Sequence, residues 1–271
     1  MEHAIRTIVH PTDFSDSSMD AFAHALRIAL AAKSKLYLLH VASRDDETSW
    51  ASFPPVRRAL ADWGLMEADA PPAAVAERLG IKVAKVQLEA ADPVQAIRAF
   101  IDEHPSELIV LATEGRKGLP RWLHGSMAER LSRSTKIMTL FISSDSRGFV
   151  DQQSGAIQLK RVLVPVDHKP PPADAVATIQ NFTNLLDAQH AEMKLIHVGD
   201  TPPEINGATG LSVEMRSGDP VEAIVEAARS ASADLIALPT AGHHGFLDAL
   251  RGSTTERVLR DAPSALLAVP V

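Results

Sequence analysis

The sequence predicts an α/β protein built from two copies of one unit, each an open parallel sheet of five strands flanked by helices. Two observations carry this. Short continuous apolar runs such as LIVLA (108–112), LIALP (235–239) and KLYLLHV (35–41) alternate with segments of helical period, the pattern of strands buried on both faces between crossover helices. The chain also repeats itself. LIVLATEGRKGLPRWLHGSMAERL (108–131) returns 127 residues later as LIALPTAGHHGFLDALRGSTTERV (235–258), with Thr113/Thr240, Gly115/Gly242, Gly125/Gly252, Ser126/Ser253, Glu129/Glu256 and Arg130/Arg257 coinciding. DPVQAI (92–97) and DPVEAI (219–224) share the same offset.

The elements follow in order. IRTIVH (5–10) is the first strand, and a helix starting at Ser17 or Ser18 and running to Ala32 carries Phe22, Ala25, Leu26 and Ala29 at helical spacing. KLYLLHV is the second strand. VRRALADWGL (56–65) and PPAAVAERLG (71–80) read as short helices, the latter with Pro at its start and Gly at its end. KVAKVQL (82–88) is the third strand, Asp92-Pro93-Val94 opens a helix to Glu103, LIVLA is the fourth strand and KIMTLFI (136–142) the fifth. The second copy repeats this order with KRVLVPVDH (160–168), a helix around 175–189, MKLIHV (193–198), LSVEM (211–215), a helix from Asp219, LIALP and ALLAV (265–269). The expected division is a first domain at 1–145, a polar linker at 146–158 and a second, shorter domain at 159–271.

The copies differ in one place. Val41 and Val198 are 157 apart, whereas everything from Asp92 onward is offset by 127, so the first copy has 30 additional residues between strands two and three. The second copy offers only GDTPPEINGATG (199–210), with three Gly and two Pro. The expectation is that the second copy lacks the helix between strands 2 and 3, leaving apolar surface for the first domain or another subunit to cover. A second expectation is that TLFI (139–142) pairs with ALLAV within one chain, because the fifth strand is an edge and edges are covered or paired.

Composition narrows the function. The chain has 271 residues, 45% of them hydrophobic, enough for two ordinary domains. With no cysteine it has no disulfide, thiol nucleophile or thiolate metal site, which suits a reducing cytosol. No basic-then-apolar leader precedes the first strand and no apolar run reaches the ~18 residues of a membrane span, so a cytoplasmic location is expected. A formal charge of −7 argues against a nucleic-acid backbone as partner.

The repeated stretch carries chemistry. Gly115 and Gly242 come shortly after an apolar strand, where a chain often needs an unshielded backbone. In each copy Gly-Ser is followed by Glu three residues after the Ser, the S-x-x-E capping box, so Ser126 and Ser253 are candidate N-caps. The free amides and partial positive charge of a helix start make an anion seat. A capping box alone is equally the mark of an ordinary helix start.

With Asp at the end of strand one, His-Val at the end of strand two, a glycine loop after strand four and Gly-Ser before the next helix, the chain resembles the universal stress protein family over both halves. That resemblance implies two Rossmann-like or flavodoxin-like sheets of order 3-2-1-4-5. Nucleotide-binding members carry G-x2-G-x9-G-[ST] in this loop, and nine residues separate Gly115 from Gly125-Ser126 and Gly242 from Gly252-Ser253. In the first domain the resemblance assigns Asp13 to the ribose, the backbone of Val41 to the adenine edge, and Gly115, Gly125 and Ser126 to phosphates. Asp167, Val198, Gly242, Gly252 and Ser253 are the counterparts in the second. The ligand implied is ATP or AMP, with Mg2+ accompanying a triphosphate, and the fifth-strand pairing implied is an intramolecular pseudo-dimer that leaves homodimerisation open.

Two departures separate the copies. The motif's first glycine is Ala112, which keeps its amide, and Pro239, which has none. Ser15 supplies the small hydroxyl that the family pattern places after the strand-one Asp, whereas the second copy reads Asp167-His168-Lys169 followed by three prolines. The first copy is therefore the better nucleotide site. Arg116, Lys117 and Arg121 lie in its loop and His243, His244 and Arg251 in the other, as phosphate-screening or simply solvated charges.

Two function classes remain. One is a stress-response regulator that binds an adenine nucleotide and is at most a slow ATPase. The other is a regulatory or interaction protein of the same fold that binds none. No G-x-x-x-x-G-K-[ST] supports a P-loop, and His10, Asp13 and Ser15 have no fixed triad geometry on a strand end. His40 and His197 read as structural histidines, and the His243-His244 pair is too short for a metal site by itself.

Overall fold

The computed structural model describes residues 5–42, 50–113, 137–143, 146, 148–205, 211–240 and 254–271, with side chains of the last segment from Arg257. The first half comprises β1 (Thr7–Pro11), α1 (Asp16–Ala32), β2 (Lys35–Ala42), a 3-10 turn (Trp50–Ser52), α2 (Val56–Asp62), α3 (Ala73–Leu79), β3 (Lys82–Glu89), α4 (Pro93–Glu103), β4 (Leu108–Thr113) and β5 (Met138–Ser143). The second comprises β6 (Arg161–Pro165), α5 (Pro172–Leu185), β7 (Glu192–Val198), β8 (Val213–Arg216), α6 (Pro220–Ser230), β9 (Leu235–Thr240), α7 (Thr254–Asp261) and β10 (Ala265–Pro270).

The strands form one continuous ten-stranded sheet of order β3-β2-β1-β4-β5-β10-β9-β6-β7-β8. Each half has the 3-2-1-4-5 order. Pairing is parallel within each half and antiparallel at the seam, where Leu266, Leu267 and Ala268 face Phe141, Leu140 and Thr139. The seam joins the two segments that the sequence singles out, and it merges the two expected sheets into one.

Side chains alternate between two apolar layers, as the period of a strand requires. On one face Ile8, Leu38, Val110, Leu140, Val164 and Leu267 pack with α1, α2, α3 and α5. On the other Val9, Leu39, Leu111, Phe141 and Leu266 pack with α4, α6 and α7. Each layer runs unbroken through both halves, so the halves share their cores.

Duplicated acids fix the strand starts. Glu107 Oε2 accepts the amides of Arg6 and Thr7 at 3.0 and 2.8 Å, and Asp234 Oδ2, 127 residues later, accepts those of Lys160 and Arg161 at 2.9 Å each. Asp92 and Asp219 cap α4 and α6 by accepting the next two free amides, with Pro at the first helical turn.

Three details depart from the sequence reading. Helix α1 begins at Asp16 because Ser15 caps it, its Oγ accepting the Ser18 amide at 3.3 Å. Helix α5 spans Pro172–Leu185 rather than about 175–189: it starts five residues after Asp167, where α1 starts three after Asp13, and the last of the prolines takes its first turn, where proline fits. The stretch read as a polar linker holds a buried anchor. Phe149 is fully buried, Val150 bridges to Ile157, and the Phe149 ring lies 4.7 Å from His24 on α1 and 6.5 Å from Phe182 on α5.

In the second half, 199–205 contains no helix, while 206–210 lies outside the described residues. On the face where α2 and α3 contribute Leu60, Ala74 and Val75 in the first half, the second half packs Met193, Ile205, Leu211 and Val213. Ile205 and Leu211 of the short connection are partly buried against that face, and Met215 is left 38% exposed.

Candidate functional site

Strands β1 and β4 are adjacent, and β2 lies on the other side of β1. Their carboxyl ends meet where crossovers diverge, the position at which open α/β sheets hold ligands. Asp13 follows β1 at this point and is exposed. Its Oδ1 accepts the Ser15 amide at 3.1 Å and the Ser15 hydroxyl at 2.6 Å, and Ser15 in turn caps α1. The carboxylate is thus oriented by the helix start while facing solvent.

Thr12, one residue earlier, ties the corner together. Its amide donates to Leu39 O at 2.8 Å, its Oγ1 accepts the Ser18 hydroxyl at 2.9 Å, and its carbonyl accepts Nδ1–H of His40 at 2.8 Å. Phe14 adopts a positive φ of 64° and lies flat on His40 with ring centres 4.1 Å apart. Phe53 meets Phe14 edge-on at 5.1 Å and carries Trp50 stacked at 5.4 Å. The additional segment of the first copy therefore delivers an aromatic wall over the His40 face at the end of β2, while the half-buried Val41 packs with the layer on the other face.

His10 takes no part in a triad. It is buried, and its Nδ1–H donates to Val110 O at 3.0 Å, joining β1 to β4. Desolvation lowers its pKa to about 4, against the opposing pull of the Val110 carbonyl and of Asp13. A neutral core imidazole results, while the Ser15 hydroxyl is spent on Asp13.

The second half builds the same corner with other side chains. His197 Nδ1–H donates to Val166 O at 2.9 Å, as His40 does to Thr12. Asp167 is exposed, and Val198 at the end of β7 is half-buried. Where Phe14 stacks on His40, His168 stands edge-on to His197 with ring centres 5.2 Å apart. Pro239 sits within β9 opposite Val269, whereas its counterpart Ala112 sits within β4 opposite Ile142.

Of the sequence-derived site residues, Asp13 and Val41, and in the second half Asp167 and Val198, lie at the strand ends that meet at the switch points. Gly115, Gly125, Ser126, Gly242, Gly252 and Ser253, with the charged residues of both loops, lie outside the described residues. Sequence reasoning passed over Phe14, Phe53 and His168. The residue after the strand-end Asp was a usable signal, since an aromatic ring in one copy stands against a titratable imidazole in the other.

The fold and its paired corners define a tandem α/β protein with one switch point per half. The family model described as Universal stress protein family matches residues 4–143 and 203–270. The chain belongs to the universal stress protein family. Universal stress protein MJ0531 of Methanocaldococcus jannaschii is 30% identical over 152 residues, covering 54% of this chain and 86% of that protein. In overall fold the chain resembles a universal stress protein from Archaeoglobus fulgidus, with a TM-score of 0.64 at 20% identity over 97% of this chain and 96% of that one. It also resembles a putative universal stress protein from Pseudomonas aeruginosa, with a TM-score of 0.63 at 19% identity over 98% and 94%. Among the described residues no helix is long and apolar enough to cross a membrane.

Proposed function

We propose that the protein is a cytoplasmic stress-response regulator whose first half binds an adenine nucleotide, ATP or AMP, at the end of β1 and β4. The observation that carries this reading is Asp13, an exposed carboxylate oriented by Ser15 at the switch point of the sheet. In this reading Asp13 holds the ribose hydroxyls and Val41 meets the adenine edge through its backbone. Gly115, Gly125 and Ser126 supply amides to the phosphates, with Mg2+ arriving on a triphosphate. Ala112 retains an amide at the motif's first position. The chain's own residues bind and orient, and His10, a buried neutral group committed to Val110, is not placed to act as a base in any slow hydrolysis.

A second reading is a regulator of the same fold that binds no nucleotide. It is favoured by Pro239, which takes an amide from the second loop, and by the Phe14–His40–Phe53 cluster over the end of β2. In the first reading Asp167, Val198, Gly242, Gly252 and Ser253 form a weaker second nucleotide site; in the second neither half is occupied.

Mass spectrometry of nucleotide released from the purified protein, followed by calorimetric ATP titration, separates the two. Asp13→Ala and the pair Ser126→Ala with Gly125→Val are expected to weaken binding by roughly tenfold or more, the loss of one or two charged or amide hydrogen bonds. Equal, weak binding by wild type and variants would leave the second reading.

A further inference from the structure

The corner of the second half differs from its twin in a way that changes its chemistry. Asp167, His168 and His197 can each present one oxygen or ring nitrogen, and these three atoms lie within 4.8 Å of one another. We propose that this corner binds one divalent cation of the zinc class through the Asp167 carboxylate and the two imidazoles, with the remaining coordination positions open to water.

Both rings are already oriented from outside. His197 Nδ1–H donates to Val166 O at 2.9 Å, and His168 Nε2–H donates to Thr201 O at 3.1 Å. Backbone-carbonyl bonds of this kind fix the tautomer and raise the basicity of the opposite nitrogen, the usual outer shell of a metal-binding histidine. With those two nitrogens given to carbonyls, His168 Nδ1 and His197 Nε2 are the ones left to meet a cation. The chain passes close to His197 Nε2 at Gly199, where a Cβ would come within 2.4 Å of it, so the absent side chain leaves that nitrogen room in an otherwise buried ring. The first copy has Ala42 there and Phe14 in place of His168, so only the second corner combines two imidazoles with the acid.

The carboxylate is also freer than its twin. Asp13 Oδ1 is taken by the amide and hydroxyl of Ser15, whereas the corresponding position in the second half is Lys169, joined to Pro170. Among the described residues Asp167 Oδ1 accepts the His168 amide at 2.7 Å and lies 3.8 Å from His197 Nδ1. The side chain is 70% exposed, so a cation and its waters have access.

Dimensions and softness select the ion. Two imidazoles bound to one tetrahedral zinc at about 2.1 Å hold their ring centres about 5 Å apart. The observed separation is 5.2 Å at 80°. Two nitrogens and one oxygen suit Zn2+, Co2+ or Ni2+, whereas Mg2+ and Ca2+ prefer oxygen-only sets. The site uses neither glycine loop and stands whether or not a nucleotide binds the first half.

The test is calorimetric titration of chelator-treated full-length protein with zinc chloride, with cobalt chloride as a visible-absorbance probe of geometry. One site per chain is expected, with intense tetrahedral-type cobalt absorption and no comparable affinity for magnesium. His168→Phe, which gives the exposed position its twin's residue, and Asp167→Asn are each expected to weaken zinc at least ~10-fold. Their circular dichroism without metal should stay unchanged. The double variant His243→Ala/His244→Ala should bind as wild type does. Unchanged zinc affinity in His168→Phe, binding lost only in the His243/His244 variant, or equal affinity for magnesium would overturn the proposal.

Discussion

His24, buried in the middle of α1, accepts the backbone amide of Phe149 at 2.9 Å through Nε2, and that of Val150 at 3.1 Å through the same atom. Its Nδ1–H donates to Asp20 O at 2.8 Å, so the ring is neutral with a fixed tautomer. Gly148 permits the approach, because a Cβ there would come within 2.4 Å of the ring. Trp63 adds a second tether by donating its indole N–H to Gln152 O at 3.0 Å. The connection between the halves is therefore fastened to the first half and buries Phe149 against α5 of the second.

This latch predicts a pH dependence. Burial lowers the His24 pKa from 6.5 to about 4, with the Asp20 carbonyl opposing the shift. A group with a depressed folded-state pKa contributes stability that is complete above pH 6.5 and is lost as pH falls through about 4. The contribution is on the order of 3 kcal/mol, of which about 2 kcal/mol is gone by pH 5. Urea midpoints at pH 7.5 and 5 should therefore fall more for the wild type than for His24→Gln. Parallel declines would show that His24 is not held neutral.

Asp234 serves two amides at the start of β6 and is almost fully buried, whereas its twin Glu107 is half-buried. Removing a charged acceptor from two such donors is expected to cost about 2–4 kcal/mol. Asp234→Ala should lower the unfolding midpoint more than Glu107→Ala. The reverse order, measured by thermal or urea unfolding, would mean that burial does not set the difference.

Leu140 and Leu267 face each other across the seam, and both are fully buried. Each Leu→Ala change is expected to cost about 2–5 kcal/mol. In a double-mutant cycle the pair should couple by about 0.5 kcal/mol or more. Additive costs within ~0.3 kcal/mol would argue that the two halves do not pair through these strands in solution.

Much of this was legible beforehand because repetition and periodicity are properties of the chain itself. The 127-residue offset located β4, β9 and both DPV helix starts, since an Asp before Pro-Val can only be a cap where the next amides are free. The short second crossover was visible because three glycines and two prolines cannot hold a helix. Phe149 was not legible: one aromatic within a polar stretch has no period, and its burial depends on α1 and α5 approaching from different halves.

The sequence by itself determined two copies of one parallel unit, the edge strands that join them, the helix-free start of the second crossover at 199–205, and the aspartates that mark each strand end. Those features rest on local pattern, and pattern survives without a fold. Tertiary structure decided that the halves share two continuous cores, that His24 grips the connection, and that Phe14 covers His40 while His168 turns its edge to His197. Such choices depend on which side chains meet across distant strands, and the distance between two imidazoles that sit 29 positions apart in the chain is set only once β6 and β7 lie side by side.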